Sequence, residues 1–482
     1  MLTMLLVCLC GMSQVPKPIG PLPTPAQVEW QQLETYAFIH FGPNTFTDKE
    51  WGYGDAPASC FNPTQLDCDQ WARILKQAGM KGVIITAKHH DGFCLWPTKY
   101  TDYSVRNSPW RGGQGDVLRE LAEACSRHGL QLGFYLSPWD RHQAFYGTSL
   151  YPDYYYAQME ELVTQYGPLF EIWLDGANGG DGWYGGACEE RKIDKRTYYH
   201  FDRVLELVKN KQPEAIVFSD GGPGCRWIGN ERGEVGQTNW SFLRGKEVYP
   251  GYEKAWELNN GHADGDTWIA AECDVSIRPG WFYHASEDDK VKTAEQLMDI
   301  YYTSVGRNGN FLLNVPVNAE GLISEVDSAR LMAFRSLLTK EFAHNVMRGA
   351  KVKASSERGK TMKAMQTLDG QYATYWAASD NDATPSLTFT LPKATRLNTL
   401  LMQEFIPLGQ RIKAFEIAYE DHGAWIPVEA QEQTTTVGYK RIVRFKPLTA
   451  KKLRITFIGT RACPCISTVE AYLTSQGKAG KR

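Results

Sequence analysis

A chain of 482 residues, 43% of them hydrophobic, can bury a large core, and since α/β barrels run past ~250 residues as one unit, two domains are expected. The net charge of −3, with 52 basic residues interspersed among 55 acidic ones, excludes the electrostatic footprint of a nucleic-acid binder. The unusual component is aromatic, 15 Trp and 24 Tyr, and while most such rings pack cores, Trp51, Trp139, Trp173 and Trp281 stand beside polar clusters where rings can stack on sugars.

In chain order, residues 1–16 open with an apolar run too short to span a bilayer. The run resembles the core of a secretory signal without its basic flank, so a periplasmic or secreted location is expected. No later segment is apolar enough for a membrane span. The eleven cysteines form no zinc spacing, and Cys463-Pro-Cys465 is too tight for a zinc knuckle. Cys68, Cys94, Cys125 and Cys273 fall in apolar patterns as small buried residues, and no disulfide framework is expected.

The first strand spans 36–41 and carries His40. Trp71, Ile74, Leu75 and Ala78 recur at helical spacing, with Gly79 at the helix end. A strand at 82–87 closes on Lys88-His89-His90-Asp91, a helix follows through Val117, Leu118, Leu121 and Cys125, and a strand at 130–136 carries Tyr135. A tyrosine-rich helix around 152–166 leads to Glu171-Ile-Trp173-Leu-Asp175-Gly176. The stripe Phe201, Val204, Leu205, Val208 precedes a strand at 215–218 that closes on Ser219-Asp220. From 220 to 267 the regularity stops, far beyond the usual ~4–6-residue connection, and a loop of that length is expected to be functional. Strands at 268–275 and 311–315, a helix through Ala294, Leu297, Ile300 and Tyr301, and a helix near 324–342 complete the domain. Strand, polar tip and helix in repetition describe a TIM-like (β/α)8 barrel over 25–345, with reactive groups at the carboxyl ends of its strands.

Beyond 348 the pattern becomes short alternating runs, at 386–391, 414–419, 441–445 and 453–457, which predicts an all-β sandwich over 348–476. Residues 477–482 form a basic tail.

Trp173 and Asp175 share one face of their strand, so a ring in the barrel mouth brings a carboxylate with it. A glycoside hydrolase needs a second carboxyl group, and Glu231, Glu234 and Glu272 are its candidates, unranked by residue pattern alone. His40, His89, His90 and Asp175 could instead serve a metal-dependent barrel hydrolase. Against that, neighbouring residues on a regular strand point to opposite faces, so His89 and His90 cannot both ligate without a bulge. Neutral imidazoles also suit sugar hydroxyls, as donor and acceptor at once. A sugar-binding protein on an inactive barrel is the non-enzymatic alternative.

The strings Phe38-Ile-His40-Phe-Gly42-Pro-Asn44-Thr-Phe46-Thr47, Glu50-Trp51-Gly52, Lys88-His89-His90-Asp91-Gly92-Phe93, Trp173-Leu-Asp175-Gly176 and Arg278-Pro-Gly-Trp281-Phe-Tyr resemble the α-L-fucosidases of glycoside hydrolase family 29. The resemblance covers roughly residues 30–320. It implies a retaining exo-α-L-fucosidase with Asp175 as nucleophile, needing no cofactor and no metal. His40, Glu50, Trp51, His89, His90, Tyr135, Arg226 and Trp281 are implied to bind the substrate, a fucosylated oligosaccharide or glycoconjugate. Arg226-Trp227-Ile-Gly-Asn-Glu231 is similar to the branch preferring α-1,3 and α-1,4 linkages, which implies Glu231 as acid/base. The C-terminal region resembles the discoidin-like, often carbohydrate-binding sandwich that follows many such barrels; its Tyr375-Trp376 and Gln403-Glu404 agree with that.

Overall fold

The computed structural model describes residues 15–176 and 191–475. The signal-like residues 1–14, the Gly-rich stretch around 179–188 and the basic tail lie outside the described residues. Eight parallel strands close a barrel in sequence order: β1 (Thr35–Ile39), β2 (Gly82–Lys88), β3 (Gln131–Leu136), β4 (Glu171–Trp173), β5 (Ile216–Ser219), β6 (Cys225–Trp227), β7 (Ala270–Ser276) and β8 (Gly309–Asn314). All seven residues of β2 are buried, as expected of a strand covered on both faces, and its Val83-Ile84-Ile85-Thr86 run supplies the branched side chains that a pleated surface packs best. Two of the flanking helices begin where an aspartate side chain takes up orphan amides. Asp67 accepts from Asp69 and Gln70 ahead of helix Cys68–Gln77, and Asp116 accepts from Arg119 ahead of helix Val117–His128, which Gly129 ends in the left-handed region at φ 62°.

One barrel strand lies inside the stretch expected to be a single long loop. β6 has only three residues, pairs Phe218 with Cys225 on one side and Cys225 with Ala270 on the other, and centres on an arginine. Nothing so short and charged registers as an apolar run. The rest of the stretch winds through a two-residue ribbon, Phe242–Leu243 against Thr267–Trp268, and a 3-10 turn, Ala255–Asn260.

The barrel axis is filled by aromatic side chains, Tyr36, Phe38, Tyr135, Trp173 and Phe218 among them, all buried. Trp173 stacks on Phe218 with ring centroids 3.9 Å apart.

The second compact unit joins residues 15–22 to 344–474. Within it the N-terminal segment is held through its backbone: the Ile19 amide donates to the Leu408 carbonyl at 3.1 Å, and the Arg411 guanidinium donates to the Lys17 carbonyl at 2.5 Å. This unit is antiparallel throughout. The runs at 441–445 and 453–457, expected as separate strands, are the two ends of one strand, Arg441–Thr460, while 386–391 begins another, Ser386–Glu404. Register shifts near residues 390–395 and 397–399 let these long strands change direction without a turn. Glu404 is buried and accepts from the amides of Arg411, Ile412 and Gly438, and its carboxyl, pushed up to about 7 by burial, is part of the fold.

Candidate active site

The carboxyl ends of the barrel strands surround a cavity of about 380 Å³ lined by Phe38, His40, Trp51, His89, His90, Tyr135, Trp173, Asp175, Glu231 and Trp281, with Asp220, Trp227, Tyr252, Trp256 and Asp274 among the others. A larger cavity, about 660 Å³, opens among Trp30, Leu130, Phe170 and Ile216 toward the amino ends of the strands, the stability end of a barrel.

β4 ends at Trp173, and Asp175 lies two residues beyond it, where the chain has left the sheet but still faces inward. Tyr135 on β3 donates from its hydroxyl to Asp175 Oδ2 at 2.7 Å, and His90 Nε2 lies 3.6 Å from the same oxygen. The next residue, Gly176, leaves room for Asp220, since a Cβ built there would meet Asp220 Oδ2 at 1.5 Å. Burial, followed by the charge of Asp175, pushes the Asp220 carboxyl up to about 7.

The three histidines are buried and neutral. Burial lowers His40 to about 3 and His90 to about 4, and drives His89 well below the ordinary imidazole value. His40 Nδ1 pairs with Asn314 Oδ1 at 2.8 Å, which can only accept, so Nδ1 carries the proton and Nε2 is the acceptor. His90 Nδ1 lies 2.8 Å from Ser137 Oγ, whose own proton is given to the Trp139 carbonyl at 2.6 Å, which fixes the same tautomer. The irregularity that His89 and His90 need in order to face one site is present. β2 stops at Lys88 after a register shift between Thr86 and Lys88, so the pair sits past the pleat and both rings reach the cavity, 4.1 Å apart.

Glu231 stands at the rim. Trp281 Nε1 donates to its Oε2 at 3.3 Å, and its carboxyl is raised first by desolvation, with the charges of Asp175 and Glu50 adding to it. The other two glutamate candidates lie elsewhere. Glu234 points away from the cavity toward Arg307 and Arg232, each 4.0 Å distant. Glu272 is fully enclosed beneath Trp173, accepting from the Trp173 indole at 2.8 Å and from the Tyr36 hydroxyl. It adjoins Glu171, which accepts from Trp30 at 2.8 Å, and burial raises both carboxyls, as two acids sharing a proton require. Among the described residues the one group whose donor atoms converge closely enough for a metal is Glu171, Cys225 and Glu272, within 4.8 Å of one another. Indole and phenol protons already occupy its oxygens, and none of the strand-end histidines belongs to it.

Two residues expected to bind substrate do not line the cavity. Arg226 is fully buried, facing outward from β6, where Nε donates to the Leu258 carbonyl at 2.9 Å and Nη2 to Asn239 Oδ1 at 2.9 Å and the Trp240 carbonyl at 3.1 Å. It also donates to the Ile269 carbonyl, so its fork stitches the long segment to the barrel. Glu50 accepts from the amides of Trp281 at 2.7 Å and Phe282 at 3.1 Å and pairs with His284 Nε2 at 2.7 Å, and it therefore anchors the segment that presents Trp281. Trp51 does line the cavity, edge-on to His90 with 53% of its surface exposed. Asp220, Trp256 and Asp274 line it too and were not singled out as site residues; for Asp274 the available signal was an acid two residues after Glu272 in a buried strand.

A sequence model described as alpha-L-fucosidase matches residues 20–341, and one described as F5/8 type C domain matches residues 351–469. The chain is similar to α-L-fucosidase 1 of Arabidopsis thaliana, 45% identical over 465 residues, which cover 95% of this chain and 88% of that one. Its fold is similar to a glycoside hydrolase 29 family member from an unknown rumen bacterium, with TM-score 0.86, 43% identity, and 96% and 79% of the two chains covered. A family 29 fucosidase of Ruminococcus gnavus, determined in complex with fucose, superposes with TM-score 0.85 at 31% identity, covering 97% of this chain and 98% of that one.

Proposed function

Because this chain belongs to the α-L-fucosidase family and is a glycoside hydrolase, we propose that it removes terminal fucose with retention of configuration, from α-1,3- or α-1,4-fucosylated glycans. The observation that carries the mechanism is the pair of Asp175 and Glu231 on one cavity, the first tied to a phenol inside it and the second in a partly desolvated position at its rim. Glu231, raised and protonated, gives its proton to the leaving oxygen while Asp175 attacks the anomeric carbon and forms a glycosyl ester. Glu231, now a carboxylate, then takes a proton from water, whose oxygen displaces Asp175 and releases fucose. The neutral imidazoles of His40, His89 and His90 exchange hydrogen bonds with hydroxyls, and Trp173 with Phe38 gives the ring an apolar floor. Trp256, 62% exposed at the cavity's edge on the long segment, offers a stacking face for the sugar next to fucose, which supports the branched-linkage reading.

The test is the configuration of trapped products. The wild type should release α-L-fucose first, by NMR. With azide, Glu231→Ala should yield α-fucosyl azide and Asp175→Gly the β anomer, because only the latter has lost the group that inverts the centre a first time. An initial β-fucose product from the wild type would sink the double displacement.

A further inference from the structure

Asp274 lies on β7 two residues beyond Glu272, so the two carboxyls share the inward face, with Asp274 nearer the cavity. It is 3% exposed and lines the cavity with Asp175, Glu231 and Trp227. The Trp227 side chain hydrogen-bonds to its carboxyl, yet Oδ1 is buried with no hydrogen-bond partner. Such an atom is rare, since the great majority of buried polar side-chain atoms are satisfied, and leaving one unmade costs about 1–3 kcal/mol. Burial first, and then the neighbouring carboxyls of Glu231 and Glu272, hold it well above the usual carboxylate range. A neutral acid in that position has one oxygen that accepts from an indole and an O–H left to donate. Its depth excludes the leaving group, which departs past the rim where Glu231 stands. What reaches it is the terminal sugar.

We propose that Asp274 is a further substrate-binding residue of this cavity, whose Oδ1 exchanges a hydrogen bond with one ring hydroxyl of the bound fucose. This rests on the reading of the cavity as the fucose site. A residue needed only to hold Trp227 would be served by any acceptor and would not distinguish one hydroxyl from another. A residue needed only to tune Glu231 would change the pH profile and treat all hydroxyls alike.

The experiment pairs side chain with hydroxyl. 4-Nitrophenyl α-L-fucoside and its 2-, 3- and 4-deoxy analogues are turned over by the wild type, Asp274→Ala and Asp274→Asn, with kcat and KM measured across pH. Asp274→Ala should lower kcat/KM on the parent by about 10-fold or more, the factor one hydrogen bond supplies, and by that factor on two of the analogues. On the third, which lacks the partner hydroxyl, the substitution should cost little. Asp274→Asn keeps an acceptor for Trp227 and a donor for the cavity, so it should recover much of the loss and show the same coupled hydroxyl; it also serves if the alanine variant fails to fold. Equal losses on all four substrates, or a loss explained wholly by a displaced alkaline limb, overturn the proposal. Titration of fucose and 2-, 3- and 4-deoxyfucose into folded Asp175→Asn protein, with and without Asp274→Ala, separates the two readings. Coupling there stands whether or not Asp175 is the nucleophile, and no fucose binding at all would overturn the cavity assignment together with the proposal.

Discussion

Gly176→Ala is the sharpest perturbation of the proposed nucleophile's placement, because it adds one methyl group beside Asp175 without touching its chemistry. The new Cβ would stand 1.5 Å from Asp220 Oδ2 and within 2.6 Å of Oδ1, where ordinary contact begins at 3.4 Å. The shortfall of about 2 Å falls between a carboxyl packed into the cavity wall and the segment carrying Asp175. If the two share it, Asp175 moves by about 1 Å, and a misplacement of that size can cost about 100-fold, or about 2.7 kcal/mol of barrier. The expectation is therefore a kcat on 4-nitrophenyl fucoside lowered about 100-fold, with thermal unfolding near that of the wild type, since the strand itself ends at Trp173. Asp220→Gly in the same chain removes the obstacle and should restore most of kcat. A folded Gly176→Ala enzyme within about threefold of wild type, or a double variant no better than the single one, would refute the claim that this contact sets the position of Asp175.

Burial depresses His90 from 6.5 to about 4, so its contribution to stability is full above pH 6.5 and is lost as pH falls toward 4, about 3 kcal/mol in all. His90→Gln should accordingly flatten the decline of melting temperature between pH 7 and pH 5, and an unchanged decline would contradict the burial account. Arg226→Leu strands the four acceptors of its fork and should cost about 2–4 kcal/mol in chemical denaturation, with Arg226→Lys no adequate substitute because one ammonium cannot span them. Trp256→Ala should raise KM for a Lewis-type trisaccharide by about 10-fold while leaving aryl fucoside kinetics near normal, as expected of a contact to the second sugar alone. Equal effects on both substrates, or a wild-type preference for an α-1,2-linked fucoside, would remove the branched-linkage reading.

Seven of the eight barrel strands were legible, five of them as apolar runs closed by a polar tip, and that tip is where a barrel gathers its side chains. β6 was not, because three residues centred on an arginine have no period to detect, and the arginine's partners lie 13 to 43 positions away in the chain. The same blindness hid the surroundings of Arg226 and Glu50, which do not line the cavity. Both sit in strings that resemble substrate-binding motifs, but a motif does not say which way a strand residue faces or whether a carboxylate is already taken by backbone amides. For His89 and His90 the alternation rule holds only while the strand does, and β2 ends one residue earlier, after a register shift that no residue pattern announces.

The choice among Glu231, Glu234 and Glu272 could not be made from residue pattern, and the reading proposed for Glu231 is supported by how the barrel manages negative charge. Glu171, Glu272, Asp274 and Asp220 crowd the axis and cavity, and the buried ones are held up by desolvation, so protons rather than cations neutralise them. An acid/base must instead exchange its proton with solvent in every turnover. Glu272 cannot, sealed beneath Trp173 with a phenol and an indole on its oxygens, and Glu234 faces arginines outside the cavity. Glu231 alone of the three combines a position on the cavity with access to water and a carboxyl raised by desolvation, which supports the acid/base role proposed for it. Burial shifts the enclosed acids toward their neutral form, and to that extent they add less to the negative field that would otherwise oppose the departure of a proton from Glu231 to the leaving group.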